Sequence, residues 1–365
     1  RSQQSQGLRQ SIHLNYNWSH AASDDVNVFP QLGGKTSSDS NSVQAGYTIG
    51  YHRLTSIFNA NWNRSKGQTT NFFTNATDIA TQIGILGPGG SALNPSSLNW
   101  GIPSIVLSDF TGLNQQQPSF STQQTLSLSE TLSWRTGKHN MRFGGDYRRV
   151  HHDFLGGSNA TGTFTFTGLY TGSSFGDFLS GLPQATSINA AVDKSYLREN
   201  VYDLYAQDDW RARSNLTLMI GIRYEFFAPF TEKFNHLANV ATNPADNFSN
   251  LSEITAGTSG SPLPDSLVYP FRIGFQPRLG FALRLPHQTV LRAGYGINFT
   301  NGQYSAFATT MAHQPPFANE QSNSSRKDCS NPAMDCFSFV NGFPLPATIG
   351  NYALDPHYRL PMVQI

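Results

Sequence analysis

Apolar side chains recur at every second position in ten stretches of this chain. Each stretch is read as a β-strand that shows two different faces to two different surroundings. The stretches are 10–18, 42–52, 54–64, 122–134, 138–150, 200–210, 214–226, 272–285, 288–299, and one that begins near Arg359. In 214–226, Leu216, Leu218, Ile220, Ile222, Tyr224 and Phe226 alternate with Thr217, Met219, Gly221, Arg223 and Glu225. Each full stretch holds about 9 to 13 residues, and about 9–11 tilted residues cross the hydrocarbon layer of a membrane.

The connections carry a second pattern. Tight links at His52–Arg53, 135–137, 211–214 and 286–287 alternate with long ones at 19–41, 65–121, 151–199, 227–271 and 300–358. A closed sheet that crosses a membrane back and forth produces this alternation, with short turns on the periplasmic side and long loops outside. The expected fold is therefore all-β: an antiparallel, up-and-down transmembrane β-barrel with long extracellular loops and short periplasmic turns. Trp18, Trp62, Trp134, Trp210, Tyr224, Phe226 and Phe299 fall near strand ends, where aromatic girdles form. The competing reading is a soluble β-sandwich with these aromatics in its core.

Composition agrees with the membrane reading. Charged residues are 13% and aromatics 12%, and no apolar run approaches the roughly eighteen residues of a spanning helix. A formal charge of +1 gives no ground for a nucleic-acid partner; outer-membrane lipid is the expected one. The sequence starts at Arg1 and stops on a strand-like "RLPMVQI". Residues 1–365 are thus expected to be one partial barrel domain of a longer protein.

The face opposite the apolar one is expected to line the lumen, and its charges are the first site candidates. They are Arg142, Asp146 and Arg148 in one strand, Arg223 and Glu225 in another, and Arg278, Arg284 and Arg292 in the last hairpin. Cross-strand pairing is the expected role of each single charge, ahead of substrate contact. Asp208 and Asp209 adjoin in sequence, but neighbouring side chains in a strand diverge, so they form no catalytic dyad. By the same geometry His151 and His152 of "HHDF" are a poor metal pair, and the segment is read as a solvated loop start. No motif for catalysis or phosphate binding is visible, and no cofactor or metal is expected. Cys329 and Cys336 are expected to form a loop disulfide in an exported protein. Amide-rich loops with aromatics, such as "TGTFTFTGLYTGSSF" at 161–175, suit saccharides or peptides, or else pack over the barrel mouth. Within "SSFGDFLSGLP", Phe175, Phe178 and Leu179 fall on one side of a short helix, a candidate extracellular lid ended by Gly181 and Pro183.

Three stretches carry a family resemblance: "SFGDFLSGLPQ" at 174–184, "VYDLYAQDDWRARSNLTLMIGIRYEFFAPFTEKFNHLANV" at 201–240, and "FQPRLGFALRLPHQTVLRAGYGINF" at 275–299. Together they closely resemble the barrel of TonB-dependent outer-membrane transporters of the Oar-like group. The resemblance covers roughly residues 120–300 and weakens on either side. It implies a 22-stranded barrel, of which about ten strands are here, with an internal plug domain and an energy-transmitting TonB complex as partners. It also implies active uptake of a scarce or bulky ligand: a saccharide, a peptide or a metal chelate. The alternative function is adhesion or surface interaction without import.

Overall fold

In the computed structural model every predicted strand is present, and most run further than their apolar alternation indicated. The structure describes residues 7–155, 159–191, 193–242, 251–261, 263–300, 303–326, 336–344 and 352–365. The strands of the main sheet are β1 (Arg9–Asp25), β2 (Gly34–Tyr51), β3 (Leu54–Asn71), β4 (Ser119–Thr136) and β5 (His139–Leu155). They continue with β6 (Ser195–Arg213), β7 (Leu216–Phe227), β8 (Phe275–Arg284), β9 (Val290–Phe299) and β10 (Met362–Gln364). All neighbours pair antiparallel and in chain order, with the short strand Thr231–Glu232 added beside β6. The ring is not closed: β1 and β10 are the two edges of this sheet.

The extra length has a simple cause. β6 has 19 residues, well beyond the 9–11 that cross a bilayer. Past the hydrocarbon both faces meet water, so alternation fades ("SHAASDD" in β1) while backbone pairing continues. Three of the four tight links are two-residue reversals, and the fourth, between Arg284 and Val290, takes five residues. Gly137 supplies a positive φ at one, and His52 takes that conformation at another. The third is corrected by structure: Arg211 and Arg213 still belong to β6, and the chain reverses at Ser214–Asn215.

One face of the sheet is apolar and exposed, with Ile12, Leu14, Leu204 and Leu279 between 55% and 79% accessible. Glu130 interrupts it and accepts a hydrogen bond from Ser56 Oγ at 2.5 Å. The other face is polar. Here rings lie over glycines of the neighbouring strand. A Cβ at Gly46 would come within 1.8 Å of the His13 ring, and one at Gly144 within 2.6 Å of the Tyr205 ring. The Tyr205 hydroxyl then reaches Thr131 Oγ1 on the next strand at 2.9 Å.

The long connections are not plain loops. They build a second, four-stranded sheet in the order 318–324, 185–191, 159–166, 104–107, and a separate hairpin of Ala238–Thr242 with Leu251–Thr255. Phe164, Phe166, Ile188 and Phe343 form one buried cluster within this layer. The aromatics of 161–175 thus serve partly as core: the alternating "TFTF" points Phe164 and Phe166 inward, away from any ligand. Besides the single helical turn Ile79–Gln82, two longer helices join the layer, α1 (Ser174–Leu179) and α2 (Tyr304–Ala312). A second cluster ties the layer to the sheet. Tyr304, Ala308, Met311 and Ala312 of α2 pack with Phe154, Leu197, Val201 and Phe227, which stand on the polar face of β5–β7.

Candidate functional site on the polar face

Register brings three carboxylates abreast. Asp146 of β5 pairs with Asp203 of β6, and Asp203 with Glu225 of β7. Like charges directly opposite one another are destabilising, and two arginines one step along the strands offset them. Arg148 binds Asp146 at 2.8 Å and Glu225 at 3.1 Å. Arg223 binds Asp203 and, at 3.4 Å, Glu225. Gln276 Nε2 donates to the second Glu225 oxygen at 3.1 Å. Asp203 and Glu225 are buried, 3% and 7% exposed, so the arginines compensate charges that water does not. Asp203 was missed in the sequence because its stretch was read only for the apolar residues on either side.

The remaining charges are arranged differently. Arg142 pairs with Asp209 at 2.9 Å, whereas Asp208 on the opposite face accepts from His139 at 2.6 Å, so the two aspartates have separate partners. Arg278 donates to Asn298 at 2.9 Å. Arg284 and Arg292 are exposed and hold no ion pair among the described residues.

On β1–β4 the same face is uncharged between the rung of Ser11 and that of Ser23. Asn17, Ser42, Asn63 and Thr125 stand side by side across the four strands. The rung below is Asn15, Gln44, Asn61 and Ser127; the rung above is Ser19, Ser40, Ser65 and Gln123. These twelve side chains are all amides or hydroxyls. The upper two rungs line a depression of about 570 Å³; Trp18, Asn41 and Arg64 also border it, but they alternate with the rung residues and turn their side chains to the opposite face of the sheet.

The candidate lid, α1, rests on the second sheet. Phe178 packs against its core, while Phe175 and Leu179 are 45% and 70% exposed. Ser173 caps the N-terminus, and Gly181 follows the C-terminus with φ +68°. Asp177 is fully buried and holds the preceding turn, accepting from the Thr171 N–H at 2.8 Å, Thr171 Oγ1 at 2.9 Å and the Tyr170 N–H at 3.3 Å. Burial by itself would raise this carboxyl; the hydrogen bonds from Thr171, Tyr170 and Gly168 outweigh it and hold it below its ordinary value. Its stabilising contribution is present above pH 3.8 and is lost as pH falls from there through the depressed value. The protection of 168–180 against hydrogen exchange, relative to the intrinsic rate at each pH, is therefore expected to fall on acidification below that point. Asp177→Ala is expected to show the lower protection already at pH 7, with about 1–3 kcal/mol of local stability lost.

"HHDF" is corrected: it is the end of β5, not a solvated loop start, and Phe154 is 7% exposed. His151 and His152 diverge. His151 accepts from Arg149 at 3.1 Å, while the rings of His152 and His313 flank Phe154 at 4.9 and 5.0 Å. Cys336 is disulfide-bonded, and the other cysteine of the chain, Cys329, lies outside the described residues.

The family model described as "Outer membrane beta barrel domain" matches residues 1–365. No curated protein matches the sequence. Among solved structures, the outer membrane transporter YddB from Escherichia coli aligns with TM-score 0.40 and 14% identity over 79% of this chain and 38% of its own. The ferric-catecholate import receptor Fiu from E. coli K12 aligns with TM-score 0.37 and 16% identity over 75% of this chain and 35% of its own. The ferripyoverdine receptor of the outer membrane of Pseudomonas aeruginosa gives TM-score 0.31 and 9% identity, over 80% and 42%. The chain spans well under half the length of these proteins.

Proposed function

We propose, for a chain that belongs to the outer membrane beta barrel domain family, that it forms part of the barrel of a TonB-dependent receptor of the Oar-like group. Its place is the bacterial outer membrane, with lipid against the apolar face. In this reading the polar face is the lumen wall, the ten strands are fewer than half of a 22-stranded ring, and a plug domain and a TonB complex are its partners. The transported ligand is a saccharide, a peptide or a metal chelate. The protein carries cargo and performs no chemistry on it.

The observation that supports this reading best is the division of the polar face. A membrane anchor for outer loops needs only a lumen that tolerates water. Here one half holds a network of five paired charges, and the other an open wall of amides and hydroxyls. A folded layer packs over the upper end of β5–β7. α1, with Phe175, Phe178 and Leu179, is the movable part of that layer in this proposal.

One feature favours the adhesive alternative. Phe110 and Phe175 form an exposed aromatic pair, 5.8 Å apart, beside the exposed Leu179. Deleting the gene in its host separates the two readings. Energy-dependent uptake is expected to disappear for one member of a panel of labelled oligosaccharides, peptides and ferric chelates, and a protonophore is expected to block the same uptake in the parent strain. Unchanged uptake of all three, with lost attachment to surfaces, would establish adhesion instead.

A further inference from the structure

The uncharged half of the polar face has a chemistry that specifies a ligand class. From the rung of Ser11, Thr48, Ile57 and Thr131 up to that of Ser23, Thr36, Thr69 and Ser119, this face of β1–β4 carries no Asp, Glu, Lys or Arg. Neither an anion nor a cation gains Coulombic attraction there. An amide offers donors and an acceptor together, and a hydroxyl offers both from one atom. Such groups match a ligand that is itself covered with hydroxyls.

These side chains are also uncommitted. Among the described residues, Ser40 and Ser65 are the only members of the three central rungs bonded to each other through their side chains, at 3.3 Å. The carboxylates and guanidiniums of the neighbouring charged network, by contrast, are spent on one another. The central rungs lie eight to twelve residues above the turn at 52–53, at the outer limit of the 9–11 residues that cross the hydrocarbon. The 570 Å³ depression there falls within the range of small-ligand clefts.

We propose that this wall, centred on Asn17, Ser42, Asn63 and Thr125, is a binding site for a neutral oligosaccharide. The inference rests on the transport reading and narrows its ligand to one class. The test uses the purified, detergent-solubilised protein in calorimetric titrations. The probes are neutral oligosaccharides of the starch, cellulose, xylan and inulin types, with oligogalacturonate and chitosan oligomers as charged counterparts. At least one neutral series is expected to bind, and the charged series not to. The double variant Asn17→Ala/Asn63→Ala is expected to bind about tenfold more weakly, the loss of one or two neutral hydrogen bonds. Asn63→Asp, which keeps the side chain's shape, serves where the double variant loses its heat-modifiable, folded migration; it is expected to weaken binding likewise. No neutral binding, charged sugars bound as tightly, or unchanged affinity in the folded variants would each overturn the proposal. Because uptake is measured in cells and binding in detergent, the two can fail apart. Uptake of a charged ligand without glycan binding removes this site and leaves transport standing, and glycan binding without uptake does the reverse.

Discussion

Arg223→Met is expected to cost about 3–5 kcal/mol, because it leaves Asp203 and Glu225 buried against each other without their shared cation. A third of the Arg223 side chain is exposed, which places the loss toward the lower end of that range. The check is the midpoint of urea unfolding in detergent, followed by the shift from heat-modifiable to unfolded migration. The triple variant Arg223→Met/Asp203→Asn/Glu225→Gln is expected to recover most of the loss, since the unpaired charges are then gone. If the single variant unfolds at the parent's midpoint, the network is solvated and the three-acid rung carries no burden.

The second large effect is expected in the folded connections. Phe164 is wholly buried, with its ring centroid 5.0 Å from that of Phe339 and 5.4 Å from that of Phe343. Phe164→Ala removes that contact and leaves a cavity, at a cost of about 3–5 kcal/mol to the second sheet. The main sheet shares little of this core, so limited proteolysis is expected to cut within 159–191 and 318–324 while the membrane-embedded strands stay heat-modifiable. Coincident loss of both would mean that the two layers fold as one unit.

How much of this was legible in the sequence follows from where water sits. Where lipid wets one face and water the other, alternation is forced, and β7 can be read residue by residue from Leu216 to Phe226. Above the bilayer the constraint lapses, so the upper halves of β1 and β2 are invisible to the same test. The second sheet left one signal, the alternating "TFTF" of 163–166, which reads as a ligand surface or as packing over the barrel mouth, because aromatics among hydroxyl residues serve either purpose. The charged site was half legible. Arg148, Arg223 and Glu225 stand out in sequence, but their meaning depends on Asp203, and only cross-strand register makes Asp146, Asp203 and Glu225 neighbours. The uncharged wall was illegible for the same reason: no single strand of Asn and Ser announces that three others match it.

Register itself is a problem that the polar face creates. A slip of one residue would throw lipid-facing side chains into water and is forbidden. A slip of two keeps both faces, and a wall of interchangeable amides and hydroxyls hardly resists it. The rings seated over glycines do. Moved by two, His13 would land on Gln44 or Thr48, and Tyr205 on Arg142 or Asp146, where side chains already occupy the space. Tyr205 further reaches across Gly144 to Thr131, fixing three strands at one height. Strand stagger and strand number together set the tilt and the bore of a closed ring. The vacant spaces at Gly46 and Gly144 therefore act as gauges: two missing side chains help determine how wide the channel is.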